Sequence, residues 1–481
     1  METLSEKNDA LKILEKIIEK FEHVEEKPLV ITEQLLKKEL NLQMGLNIKK
    51  FTETEKEKFE PYAKEISSKI QIAKHINQKI DFKGDTQDFS NYFKNRFIRM
   101  KKILKKRSDI QNTVTIKEAI TTRKNEEIKI IGMVANKNQR KNRIILEIED
   151  LTASFNVLVS PKTDRKTFEE AENLLFDQII GINAKKSRQE FCVAKNIILP
   201  DVPKRKPQVS NENVYVALLS DLHIGSETFL DVEFSHFISW LKGELQDKNT
   251  KNIAGKIKYL IIAGDLVDGI GIYPNQEKEL SINNIYEQYR YAAELLAQIP
   301  EYIEIIIIPG NHDATRQALP QPAISKDYAK PLLKLQNIHL LENPSQFQLH
   351  GVSFLIYHGQ SLDDIIGCIP GITYQNLNKS ISQAMKHILR SRHLVPTYGK
   401  ETQVVPESED RLIIEEVPDI LHMGHVHVFG YEKYRGITMI NSGTWQKQTS
   451  FQKKKDVKPT PAILPIVNLK TNELSVKKFL I

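Results

Sequence analysis

The sequence predicts a multidomain α+β protein: a helical N-terminal module, a small β-barrel and a larger C-terminal α/β domain. Three observations lead there. Residues 1–75 repeat apolar positions at helical spacing, as in "ALKILEKIIEKF". At about residue 113 the texture switches to β-branched runs split by polar turn clusters. From Val214 onward, fully apolar strands alternate with helical stretches.

The whole chain sets bounds on these elements. Its 481 residues exceed one average domain. With 40% apolar and 27% charged residues it reads as a soluble globular protein. The balance of +7, from 69 Lys+Arg against 62 Asp+Glu, permits a nucleic-acid partner without requiring one. Only two cysteines occur, Cys192 and Cys368, and neither lies in a C-x-x-C pattern. A disulfide scaffold or zinc ribbon is therefore not expected, and a reducing, cytoplasmic setting is. The N-terminus has no apolar signal core and the longest apolar runs are of strand length, so no membrane span is expected.

In chain order, residues 1–75 form the helical module, with Thr32 as an N-cap for "ITEQLLKKELNL". Residues 76–112, with "NYFKNRFIRMKKILKKR", read as a basic amphipathic helix that is either a solvated linker or a binding surface. Residues 113–201 carry three likely strands separated by "NKNQRKN" and "EDLTAS", and suggest an OB-fold-like barrel. Phe155 and Phe191 are its main aromatic candidates. That sparseness favours a subunit interface over single-strand binding. Residues 202–481 open with a Pro-containing linker (202–213) and continue as the α/β domain, expected as a sheet covered on both faces.

The chemistry sits at strand ends, where α/β sheets build their sites. Five such ends carry metal-binding residue types: Asp221-Leu222-His223, Gly264-Asp265, Gly310-Asn311-His312-Asp313, His358-Gly359 and Gly424-His425-Val426-His427. Five of the 13 histidines fall there. A lone histidine after a strand is usually a turn or core residue, but five clusters at successive strand ends point to metal. Asp221 and His223, like His425 and His427, are two apart, and in extended chain each pair points one way. His422 reads as a packed strand residue, and Asp313 as either a turn cap or a partner for a histidine. The basic runs at 204–206 and 453–455 read as solvated charge.

The series "DLHIG", "GDLVDG", "GNHD", "YHG" and "GHVH" resembles the calcineurin-like metallophosphoesterases over roughly residues 214–450. The resemblance implies two divalent ions about 3.5–4 Å apart. One would take Asp221, His223 and His427, the other Asn311, His358 and His425, with Asp265 bridging. Manganese is expected from the resemblance, and iron or zinc suits the same donors. Longer strings, "GNHDATRQALPQPAI", "PDILHMGHVHVFGYEKYRG" and "NSGTWQKQTSFQKK", resemble the small subunits of archaeal family-D DNA polymerases. That resemblance implies a 3′–5′ proofreading exonuclease in DNA replication, partnered by a large polymerising subunit. It further implies primer-terminus or single-stranded DNA as substrate, and a sliding clamp reached through the holoenzyme. His312 would face the substrate as a transition-state stabiliser or proton donor. Arg316, Arg390, Arg392, Tyr398 and Lys400 are candidate nucleic-acid contacts. A phosphatase on the same metal centre and a non-catalytic scaffold are the competing functions.

Overall fold

Two six-stranded sheets form the C-terminal body. The first runs Ile338–Leu340, Glu304–Ile308, Ile257–Ala263, Tyr215–Leu219, Ile463–Asn468, Glu473–Lys478. Its first four strands are parallel. The second runs Ile70–Ile72, Ser345–Leu349, Val352–Ile356, Ile420–Met423, Ile437–Ser442, Phe429–Tyr434, and its central three strands are parallel. This computed structural model describes residues 59–72, 82–188, 191–245 and 248–480. Residues Phe59–Ile481 make up one compact unit.

Side-chain alternation fixes the layering. In the first sheet Val216, Leu218, Tyr259, Ile261, Ile306 and Ile308 face Phe347, Phe354, Ile356, Ile420 and Ile440 of the second. The opposite side of the first sheet (Ala217, Leu219, Leu260, Ile262, Ile305, Ile307) packs on helices Asp231–Leu241 and Ile285–Leu296. The opposite side of the second (Leu355, Leu421, Met423, Met439) packs on helix Leu377–Ser391. The sequence predicted one sheet covered on both faces, and the structure has two sheets, each covered once by helices and once by its partner sheet. A strand pressed between a sheet and a helix is as uniformly apolar as one between two helices, so the two cases look alike in sequence.

The barrel is present as a closed set of five strands: Glu127–Arg140, Arg143–Glu149, Ser154–Val159, Phe191–Ile198 and Ile179–Arg188. The turn expected across "NKNQRKN" shrinks to Lys141-Asn142, because the strands keep pairing as far as Arg140 and Arg143. Phe155 is buried in the interior rather than offered as a platform.

Helix Thr86–Lys105 corrects the choice posed for residues 76–112. It starts at Asp85, whose side chain accepts from Asp88 N–H, and it buries Tyr92, Arg96, Phe97, Met100 and Leu104 on one stripe. Arg96, 1% exposed, donates Nε–H to Asp410 Oδ2 at 2.6 Å, and His393 Nε2 lies 2.8 Å from the same oxygen. The helix is thus an anchored strut and not a solvated linker. Within 59–72, where helix was expected, Tyr62–Lys64 is a 3-10 turn and Ile70–Ile72 an edge strand paired with Ser345–Leu349. The remainder of the predicted N-terminal helical module, including Thr32, lies outside the described residues. Among the described residues no helix is long and apolar enough to cross a membrane.

Candidate metal centre

The site forms where the parallel strands of both sheets end. Tyr215–Leu219 delivers Asp221 and His223, Ile257–Ala263 delivers Asp265, and Glu304–Ile308 delivers Asn311 and His312. From the second sheet, Val352–Ile356 delivers His358, and Ile420–Met423 delivers His425 and His427. The seven residues expected as ligands therefore come from both sides of the seam. The loops are laced together by main-chain bonds: Asp221 N–H to Gly264 O (3.0 Å), His223 N–H to Asp265 O (3.1 Å) and Gly424 N–H to His358 O (2.8 Å).

Two groupings emerge. Ligand atoms of Asp221, His223 and His427 lie within 4.8 Å of one another, as do those of Asp221, Asp265 and His358. His223 Nε2 and His427 Nε2 are 3.0 Å apart. On the other side, Asn311 Oδ1 lies 3.1 Å from His358 Nε2 and 3.0 Å from His425 Nδ1. Asp265 stands between them, with Oδ2 3.2 Å from His358 Nε2 and 3.7 Å from His223 Nε2. His425 and His427 thus turn to different groupings, whereas extended chain would have pointed them together. None of the paired positions is extended, so the i, i+2 rule does not apply to them. Asp221 (φ 52°), His223 (52°), Asp265 (53°), His425 (72°) and His427 (58°) are all left-handed, a conformation costly for non-glycine residues and typical of functional sites.

The outward edge of each ligand imidazole is occupied. His223 Nδ1 meets Asp268 Oδ1 at 2.9 Å, His358 Nδ1 meets Ala263 O at 2.8 Å, His425 Nε2 meets Asp363 Oδ2 at 2.8 Å, and His427 Nδ1 meets Gln452 Nε2 at 2.7 Å. Four inward nitrogens, two carboxylates and one amide oxygen are left converging on one volume. Giving the far N–H of a histidine an acceptor, as Asp268, Ala263 O and Asp363 do for three of these rings, is how proteins orient metal ligands; at His427 that role needs the Gln452 amide turned so that its oxygen, not its nitrogen, meets Nδ1. Imidazole with carboxylate suits divalent first-row metals. The residues present fit a pair of such ions. Glycines keep the space open: a Cβ at Gly310 would land on Asp265 Oδ1, and one at Gly264 (φ 90°) on the His358 ring.

Sequence reasoning missed Asp268, Asp363 and Gln452. Asp268 lies inside "GDLVDG", and Asp363 five residues after His358. Each acts on a ring from another segment, so neither spacing marks it. Gln276 in turn donates Nε2–H to Asp268 Oδ2 at 3.0 Å.

The electrostatics follow the packing. Burial opposes charge on His223, but Asp268, Asp265 and Asp221 outweigh it and lift the imidazolium to about 9. Burial opposes charge on His358 too, and Asp265 and Asp221 raise it to about 9. Burial pushes against ionised Asp265, yet the surrounding histidines hold its carboxyl well below the usual range. His427 is driven down by burial and then by His223.

His312 lies beside the cluster: one of its ring nitrogens falls within 4.8 Å of ligand atoms of His223 and Asp265, and its ring centroid is 4.6 Å from that of His223. Its Nδ1 lies 2.7 Å from Asp268 O, its backbone N–H donates to Asp265 Oδ1 at 2.8 Å, and its ring is half-buried. Burial lowers its proton affinity, and Asp265 offsets part of this. Asp313 makes no contact with His312. Its carboxylate accepts from Gly310 N–H (2.9 Å), Leu266 N–H (3.2 Å) and Tyr289 OH (3.1 Å), so it caps the turn, and burial raises it to about 6. His422 is a strand residue whose Nε2 meets Ser442 Oγ, as the sequence suggested.

Of the candidate nucleic-acid residues, the three arginines are engaged by protein partners. Arg392 is 5% exposed and donates to the carbonyls of Ile414 and Glu415. Arg390 pairs with Glu170 of the barrel segment at 2.6 Å. Arg316 is spent on Glu407 and Pro320 O. Tyr398 packs on Phe89 and Phe93, and Lys400 is exposed. The engagement of the arginines is set by tertiary packing and loop carbonyls, which residue type and spacing do not mark.

Comparison with known proteins agrees with this region. The family of B subunits of DNA polymerases alpha and epsilon matches residues 216–430. The chain is 41% identical over 386 residues to a protein of Pyrococcus furiosus named "DNA polymerase II small subunit", covering 80% of this chain and 62% of that one. It is 42% identical over 387 residues to the protein of that name from Methanothermobacter thermautotrophicus (80% and 78% covered), and 42% over 392 residues to that from Archaeoglobus fulgidus (82% and 77%). The chain thus spans less than two thirds of the Pyrococcus protein and over three quarters of the other two.

Proposed function

Because this chain belongs to the family of archaeal DNA polymerase II small subunits, we propose that it is the 3′–5′ proofreading exonuclease of a replicative polymerase. The same membership supports a large polymerising subunit as its partner, with this chain as scaffold. The two-sheet body (202–481) is read as a calcineurin-like phosphoesterase domain, and the closed barrel (113–201) as an OB-fold. The observation that carries the nuclease reading is the set of four imidazoles whose outward nitrogens are held while their inward nitrogens converge beside Asp221, Asp265 and Asn311.

A bound pair of divalent ions, manganese on this reading, supplies an activated water and a clamp on the phosphoryl oxygens. The chain's own residues do the rest. Asp265 joins the two groupings and holds the His312 loop through the His312 N–H bond. Asp268 serves twice, orienting His223 by its carboxylate and His312 by its carbonyl. With Nδ1 fixed on that carbonyl, His312 Nε2 is the atom that faces the departing 3′ oxygen. Its lowered proton affinity makes the imidazolium a ready donor.

The test uses the full chain loaded with manganese and 5′-labelled single-stranded DNA. Wild type should bind two ions and shorten the DNA from its 3′ end. His312→Ala should keep both ions and lose about 10²–10⁴-fold in rate. Intact DNA with wild type, or loss of metal in His312→Ala, would defeat this assignment.

A further inference from the structure

The run Lys453-Lys454-Lys455, read in sequence as solvated charge, lies on the rim of the metal cluster. Thr449 caps the short helix Ser450–Lys454. Its Gln452 reaches inward to His427 Nδ1 at 2.7 Å. Its neighbour Phe451 turns outward and is 59% exposed. The Lys455 ammonium sits 4.7 Å from the Phe451 ring centroid and 4.9 Å from that of Tyr374. Tyr374 is itself tied to the cluster: its OH donates to Asp363 Oδ1 at 2.6 Å, and Asp363 Oδ2 holds His425 Nε2. Two aromatic rings and three exposed lysines are therefore anchored, through Gln452 and Asp363, to the two histidines of the "GHVH" segment. None of the three lysines forms an ion pair with a described residue.

We propose that Phe451, Tyr374 and Lys453–Lys455 form the seat for the terminal base and neighbouring phosphates of a single-stranded DNA end entering the metal centre. This rests on the nuclease reading above. An exposed aromatic ring stacks on any base, and lysines beside it neutralise the backbone, which is the sequence-tolerant chemistry a proofreading site needs. Lys455 already occupies the space between the rings as a cation, and its flexible stem lets it swing to a phosphate when a base enters. The surface is positive where the substrate is negative, and it adjoins both metal groupings.

The test uses the full chain with manganese and an oligothymidylate carrying 2-aminopurine at its 3′ end behind a cleavage-resistant phosphorothioate linkage for binding, and the unmodified strand for degradation. Wild type should quench the fluorescence on binding. Phe451→Ala should lose the quenching and bind about tenfold more weakly, while Phe451→Trp restores both. Replacing Lys453 and Lys454 by Ala should flatten the logarithmic salt dependence of binding by about 1.4. Metal content and melting temperature report that each variant stays folded. If wild type carries two ions and leaves DNA ends intact, the nuclease reading fails. If wild type degrades DNA and Phe451→Ala binds, quenches and degrades equally, the seat alone is overturned, and the rim is left to a protein partner.

Discussion

Removing the Asp268 side chain tests the centre from outside its ligand set. Asp268 Oδ1 holds His223 Nδ1 at 2.9 Å, and that bond fixes the ring so that Nε2 points inward. Losing such a partner costs about 10–100-fold in metal affinity, or roughly 1–3 kcal/mol. A second effect runs the other way. His223 is raised to about 9, with Asp268 the leading cause that offsets burial. At about pH 7 a metal must displace that proton, which costs about 3 kcal/mol. Asp268→Ala lets the histidine fall toward its ordinary value, so the proton competes less. The measured loss should therefore be partly masked near pH 7 and larger near pH 9. Anaerobic calorimetry with manganese at both values reads the difference. Electron paramagnetic resonance separates one ion from a coupled pair, and only the ion at Asp221, His223 and His427 should weaken. Asp363→Ala should weaken the other ion, through His425. Equal effects of the two variants on both ions, or no change at either pH, would refute the two-grouping geometry.

Further outcomes follow from the same contacts. Gly310→Ala should reduce paired manganese binding more than tenfold and lower the melting temperature, since the added Cβ meets both Asp265 Oδ1 and the Asp265 backbone nitrogen; metal titration and melting curves check this. Asp410→Ala strands a buried Arg96 and should cost about 3–5 kcal/mol in denaturant unfolding. Burial opposes ionised Asp410, but Arg96 and His393 hold its carboxyl far below the usual range. Its contribution is therefore full above about pH 4 and drains as pH falls further, so the acid slope of stability should flatten in Asp410→Ala. In metal-free protein, His223 and His358, both raised, should stabilise below about pH 6.5 and lose that as pH rises through about 9, which melting curves can follow.

The residues that converge were legible because each stands beside its own strand end, and strand ends are local signals. What orients them was not. Asp268 and Asp363 are ordinary acidic residues until tertiary packing sets them against His223 and His425. The basic residues misled in both directions. Arg390 and Arg392 looked like nucleic-acid contacts and Arg96 like part of a basic surface, yet protein partners hold them, for Arg96 an aspartate 314 residues away. Lys453–Lys455 looked solvated, and they lie beside the centre. Geometry inferred from spacing failed at His425 and His427, because an extended chain was assumed where the backbone turns left-handed. The paired sheets were hidden for a related reason: apolar alternation reports burial and not what does the burying.

The division of the cluster across the seam makes it a gauge of the distance between the sheets. Asp221, Asp265 and Asn311 ride on one sheet, and His358, His425 and His427 on the other. What spaces them is the interior between, including Phe354 stacked on Phe347 at 5.8 Å and the chain of Ile261, Ile306, Ile356 and Ile420. On the proposed two-ion reading, bridging by one carboxylate would tolerate little drift. A side chain trimmed deep in that interior, touching no ligand, can therefore disarm the centre while the rest of the protein stays whole. By the same coupling, a metal pair bound across the seam pins the sheets in register.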